Sequence, residues 1–114
     1  MESSYYSPSL LLDMMDGNNQ EVRELAIMFF DLGPQMLQEI ESNIEQDKLE
    51  KAGDIAHKLK SSLRLWQMSE LVDLAIFIEQ YGRKRTKLEE INSKLSTLKE
   101  GFAIALSEMK KDYL

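Results

Sequence analysis

Residues 20–46 read QEVRELAIMFFDLGPQMLQEIESNIEQ, and their periodicity decides the fold class. Val22, Leu25, Ala26, Phe29, Gly33, Met36, Leu37, Ile40 and Ile44 recur at steps of three and four, which places them in one stripe along an α-helix. Gly33-Pro34 falls inside this stripe. A proline there removes one backbone donor and crowds the preceding turn, so the spacing predicts a bend near Asp31 rather than an end, because the stripe keeps its phase beyond it.

Working outward, the same spacing returns on both sides. Toward the N-terminus, Ser7 to Met15 forms a short opening helix that Asp16-Gly17-Asn18-Asn19 should terminate, since these residues favour turns and caps. Toward the C-terminus, Ala52, Ile55, Ala56, Leu59, Leu63 and Trp66 predict a helix from about Leu49 to Trp66. Leu71, Leu74, Ala75 and Ile78 predict another, capped by Ser69 and ending around Tyr81-Gly82. Arg83-Lys84-Arg85 reads as a short basic connection. Thr86 and Glu89 have capping-box spacing and open a last helix through Leu88, Ile91, Leu95, Leu98, Phe102, Ala105, Leu106, Met109 and Tyr113.

Four long amphipathic helices with short connections can cover their stripes only against one another. The simplest arrangement is an all-α, antiparallel four-helix bundle with a short additional N-terminal helix. The 114 residues suffice for one such domain, 1–114, and are too few for two.

Composition narrows the function. The net charge of −6 argues against nucleic acid as a partner, because phosphate-backbone binding needs clustered Lys and Arg. No apolar run approaches the ~18 residues of a membrane span, so no membrane role is expected. The opening Met1-Glu2-Ser3-Ser4-Tyr5-Tyr6 lacks the features of a secretory signal, and the expected location is cytoplasmic. The chain has no cysteine and a single histidine, which removes disulfides and thiolate metal sites.

That histidine, His57, lies outside the apolar stripe of its helix. Its neighbours at three and four residues are Gly53, Asp54, Lys60 and Ser61, with Arg64 one turn further on, so it belongs to a polar face directed to solvent. Asp54-x-x-His57 has the spacing of a carboxylate-bridged di-iron ligand pair, but such a bundle needs a second histidine. A solvent-facing histidine flanked by lysines is a poor axial ligand for haem. A hydrolase would need a triad and an oxyanion arrangement that the sequence does not offer.

An exposed neutral imidazole on a stiff helix is, by contrast, a competent nucleophile. A phosphoryl group suits it, because phosphoryl transfer asks for in-line positioning and cations more than for covalent chemistry. Lys60 shares the face of His57 and supplies a cation, and Arg64 extends the positive surface toward an acidic partner. Lys58 sits at the flank. Neither common type of glycine-rich nucleotide loop is present, so self-phosphorylation from ATP is not expected. Phe30, Ile27 and Met28 lie off the stripe of their helix and should either meet the short first helix or form an apolar patch beside His57.

The segment Ala56-His57-Lys58-Leu59-Lys60-Ser61-Ser62 resembles the A-H-x-L-K-G-S core of histidine-containing phosphotransfer (HPt) domains. The helix order is also similar, over about residues 7–112. The resemblance implies a phosphorelay carrier without kinase activity of its own. It makes His57 the phospho-acceptor and Lys60 the neighbour that steadies the phosphoryl group, with Lys58, Ser61 and Arg64 at the partner surface. The implied partners are response-regulator receiver domains and a hybrid histidine kinase. No intrinsic cofactor is implied, Mg²⁺ being supplied by the receiver, and a monomer is expected. The chain departs from the family at two glycines: Ser61 stands four residues after the histidine, and Gln67 ten residues after it. A second reading follows from those departures, a helical adaptor that binds receivers or other partners without transferring phosphate.

Overall fold

In a computed structural model that describes residues 5–114, the stripes become helices close to their expected bounds. Among the described residues there are five helices and no strand: α1 (Ser9–Met14), α2 (Asn19–Glu45), α3 (Leu49–Leu65), α4 (Ser69–Arg83) and α5 (Leu88–Tyr113). Turns of three or four residues join the long helices, so neighbours run antiparallel and form the four-helix bundle, with α1 packed beside α2. The 27 residues of α2 span ~40 Å at the helical rise, which accounts for the 42 × 21 × 20 Å extents of the molecule.

The stripes face inward as the spacing requires. Val22, Ala26, Phe29 and Ile40 of α2 are buried with Ala56, Leu59 and Leu63 of α3, Ala75 and Ile78 of α4, and Ile91, Leu98, Phe102 and Met109 of α5. At one end the core is aromatic. Trp66 and Tyr113 pack edge to face at 5.9 Å, Phe29 and Phe102 are tilted against each other at 5.6 Å, and Tyr6 closes over Trp66. The segment before α1 is fastened there by the Ser7 amide donating to the Trp66 carbonyl and by the Tyr6 hydroxyl donating to Asp112. Burial, reinforced by that bond to Asp112, pushes the Tyr6 phenol well above its ordinary value.

The helix ends differ from the sequence expectation in an instructive way. Asn18 caps α2 as expected, accepting from the Glu21 amide. Ser69 and Thr86 do not cap. The caps of α4 and α5 are Met68 and Lys87, without side-chain bonds. Met68 is drawn to the cap position by its own burial, which leaves Ser69 as the first helical residue. Thr86 instead closes the preceding turn, its amide donating to Tyr81. α2, α3 and α4 each end in a left-handed residue, Asp47, Gln67 and Arg85. In each case the next amide reaches five residues back, to Asn43, Leu63 and Tyr81, which is the Schellman arrangement without its usual glycine.

At Gln67 the departure from the family glycine has a local compensation. The residue keeps φ +54, a conformation that disfavours side chains. Its amide oxygen accepts from the Ser9 hydroxyl at 2.7 Å and from the Leu10 amide at 3.2 Å, satisfying a free donor at the start of α1. The exit turn from α3 is thereby tied to α1.

Candidate functional site

Small residues bring α3 and α4 together. Gly53 of α3 and Gly82 of α4 meet across a contact in which backbones nearly touch. A Cβ on Gly82 would stand 2.8 Å from the Leu49 carbonyl oxygen, and one on Gly53 would stand 3.0 Å from the Glu79 carbonyl oxygen. Gly82, expected from the sequence to end α4, is therefore retained inside the helix for close approach. Because Gly53 lies one turn before His57, the contact sets Glu79 of α4 beneath the imidazole.

The resulting cluster joins five side chains. His57 Nδ1 is 2.7 Å from Glu79 Oε2, Lys60 Nζ donates to Glu79 Oε1 at 2.7 Å, and Arg83 Nη1 donates to Oε2 at 2.9 Å. Arg83 Nε also donates to Asp54 Oδ1 at 3.0 Å, so the guanidinium bridges α3 and α4. The exposures divide the cluster into layers. The side chains of Glu79 and Lys60 are 10% and 12% exposed, whereas His57 is 52% exposed. Burial acts to raise the Glu79 pKa, but the hydrogen bonds from Lys60 and His57, and the charge of Lys60, outweigh it and hold the carboxyl below its ordinary value. Glu79 is thus a carboxylate.

A carboxylate can only accept, so the Glu79 contact assigns the ring proton to Nδ1. Lys60 lies 3.2 Å from the same nitrogen. Its ammonium cannot donate to a protonated Nδ1, and its bond is the one to Glu79. The neutral ring is left with an in-plane lone pair on Nε2, the geometry a nucleophilic imidazole needs.

The residues predicted from sequence separate into two groups. His57 and Lys60 meet, as their spacing required, but the Lys60 ammonium is turned inward to Glu79 rather than held open beside the ring. Lys58, Ser61 and Arg64 lie on the exposed surface, with the Ser61 hydroxyl directed at the His57 carbonyl at 3.5 Å. Of the three residues off the α2 stripe, Phe30 packs against the core under Lys110, and Ile27 is exposed. Met28, also exposed, borders a cavity with Leu11 of α1, Leu32, Ser62 and Leu65. Leu65 is exposed two turns after His57, ~12 Å along α3.

Glu79 and Arg83 were missed by the sequence reading, although one signal was available. Val72, Ala75, Glu79 and Gly82 keep helical phase, which puts a lone acid on a buried stripe, and a buried acid requires cations from a neighbouring helix.

The Hpt domain family matches this chain over residues 24–110. The chain belongs to that family. Hpt domains are phosphocarriers rather than kinases; they carry out histidine phosphotransfer in phosphorelays and interact there with receiver domains. The match takes in α3 and α4, and hence the whole cluster around His57. A search of curated proteins returns no match to the chain. Among the described residues of this Hpt chain, no helix is long and apolar enough to cross a membrane.

Proposed function

We propose that His57 is the phospho-acceptor of this Hpt chain and that Nε2 is the attacking atom. One observation carries the reading: Nδ1 is held at 2.7 Å by a buried, ionised Glu79 while the ring is half exposed. The Nε2 lone pair attacks the phosphorus of an aspartyl phosphate in a receiver. The N–P bond forms as the P–O bond to that aspartate breaks, and the aspartate leaves as a carboxylate. Nδ1 keeps its proton throughout, and Glu79 faces the positive charge that develops on the ring. In the second half of the relay a carboxylate oxygen of another receiver attacks the same phosphorus, and Nε2 recovers its lone pair.

Lys60 steadies the phosphoryl group by exchanging its bond to Glu79 for one to an equatorial oxygen. Its flexible stem permits this movement, and Arg83 remains on Glu79 when it happens. Mg²⁺ comes from the receiver, offsetting charge on the same oxygens. The receiver docks on the face that carries His57, Lys58, Ser61, Arg64 and Leu65. The Met28–Leu32 surface supplies an apolar centre inside that polar rim, as in many transient interfaces. The donor is the receiver of a hybrid histidine kinase, the acceptor is a response regulator, and the carrier acts as a monomer.

Ser61 favours one competing reading, because its hydroxymethyl group occupies the surface where the family has glycine; in that reading the chain binds receivers without transfer. Incubation with phosphorylated receiver domains and Mg²⁺ separates the two. Acid-labile phosphate on the wild type and none on His57→Gln supports the carrier. Receiver binding without label from any competent donor supports the adaptor and overturns the proposal.

A further inference from the structure

Beyond staying on Glu79 when Lys60 moves, Arg83 has no part in the relay chemistry described so far, yet it makes two contacts at the level of His57. Its Nη1 shares Glu79 Oε2 with the imidazole, and its Nε holds Asp54 one turn before the histidine. The charges around the ring sum to a definite value. Asp54 and Glu79 contribute −2, Lys60 and Arg83 contribute +2, and the cluster is neutral when His57 is neutral. Lys58 is the other charged residue of α3 beside His57 and is exposed. No charged side chain of α2 or α5 forms an ion pair with the cluster among the described residues.

We propose that Arg83 is a positioning residue for phosphoryl acceptance: it compensates the charge of Glu79, so that the carboxylate fixes the Nδ1 proton without drawing a second proton onto the ring. This rests on His57 as the acceptor. A carboxylate in contact with an imidazole favours the imidazolium, which has no lone pair to attack with. Without Arg83 the groups around the ring sum to −1, and protonation of His57 restores neutrality. With Arg83 in place that electrostatic gain is absent, and the neutral nucleophile persists to lower pH. The bridge to Asp54 adds direction, because it keeps the guanidinium on Oε2 instead of free in solvent. A lysine has no second donor edge with which to span both carboxylates.

The test follows the imidazole of the single histidine by NMR against pH in wild type, Arg83→Gln and Asp54→Asn, beside the pH profile of phosphoryl acceptance. In Arg83→Gln the titration midpoint and the acid limb of the profile move together to higher pH, by roughly half a unit given the half-exposed guanidinium. Asp54→Asn removes a negative charge while its amide oxygen still accepts from Arg83 Nε, so the guanidinium stays on Glu79 and both move in the opposite direction. Shifts of opposite sign are a signature that general loosening of the α3–α4 contact does not produce. An unmoved midpoint in Arg83→Gln, or shifts of the same sign in both variants, overturns the proposal. If Arg83→Gln does not fold, Arg83→Met, which keeps an apolar stem without the charge, takes its place, and an unmoved midpoint there has the same consequence. The NMR titration needs no phosphate, so a wild type that accepts no label defeats the carrier assignment while the role of Arg83 is still read directly.

Discussion

Truncating Glu79 to alanine tests whether the cluster holds α3 to α4 as well as orienting the imidazole. The carboxylate is 10% exposed, and the ammonium it leaves behind on Lys60 is 12% exposed. Breaking a buried ion pair from one side costs ~3–5 kcal/mol, because the remaining charge has lost its partner. His57 and Arg83 are about half exposed and can turn to water, so their bonds add little, and the total belongs at the lower end, about 3 kcal/mol. For a chain of this size that lowers the melting temperature by roughly 10 °C. Lys60→Ala should cost less, about 2 kcal/mol, since Arg83 and His57 still face Glu79. The double variant should cost little more than Glu79→Ala alone, giving a coupling of about 2 kcal/mol. Urea unfolding followed by helical circular dichroism measures all three against wild type, with unchanged m-values as the condition for comparison. A loss below about 1 kcal/mol for Glu79→Ala, or additive single effects, would refute the reasoning.

Three other outcomes follow from the same contacts. The Glu79 pKa is held below its ordinary 4.5, so its contribution to stability is complete above that value and disappears as pH falls through the lower folded value; Glu79→Gln should flatten the acid limb of stability against pH. The Tyr6 phenol is raised by burial and by Asp112; its contribution is complete below the ordinary 10.0 and is lost as pH rises through the raised folded value, so Tyr6→Phe should lessen alkaline destabilisation, the remainder belonging to Tyr113, which is raised for similar reasons. Gly82→Ala sets a Cβ 2.8 Å from the Leu49 carbonyl oxygen, which should cost about 1–3 kcal/mol in urea unfolding and slow phosphoryl acceptance by carrying Glu79 away from His57.

The bundle was legible because each helix repeats its own apolar phase, and burial follows phase whatever the partner. Helix ends were less so. Ser69 and Thr86 are good caps in isolation, but the buried Met68 and the turn closed by the Thr86 amide displaced each cap by one position, and the left-handed Asp47, Gln67 and Arg85 stand where a glycine would have marked the stop. His57 and Lys60 could be read from one helix because they share its face. Glu79 and Arg83 could not, since their role depends on how closely α4 approaches α3, which Gly53 and Gly82 determine only once the helices are packed. The inward turn of Lys60 has the same origin: its partner lies on another helix.

The attacking atom is the point at which the tautomer, the Glu79 contact and the carrier role converge. The most direct test is phosphorylation of the wild-type chain by a phosphorylated receiver, with the phosphohistidine isomer identified by ³¹P and ¹⁵N NMR at the single imidazole. Phosphorus on Nε2 of His57, with the proton retained on Nδ1, is the predicted result. Phosphorus on Nδ1, or label on any residue other than His57, would contradict it.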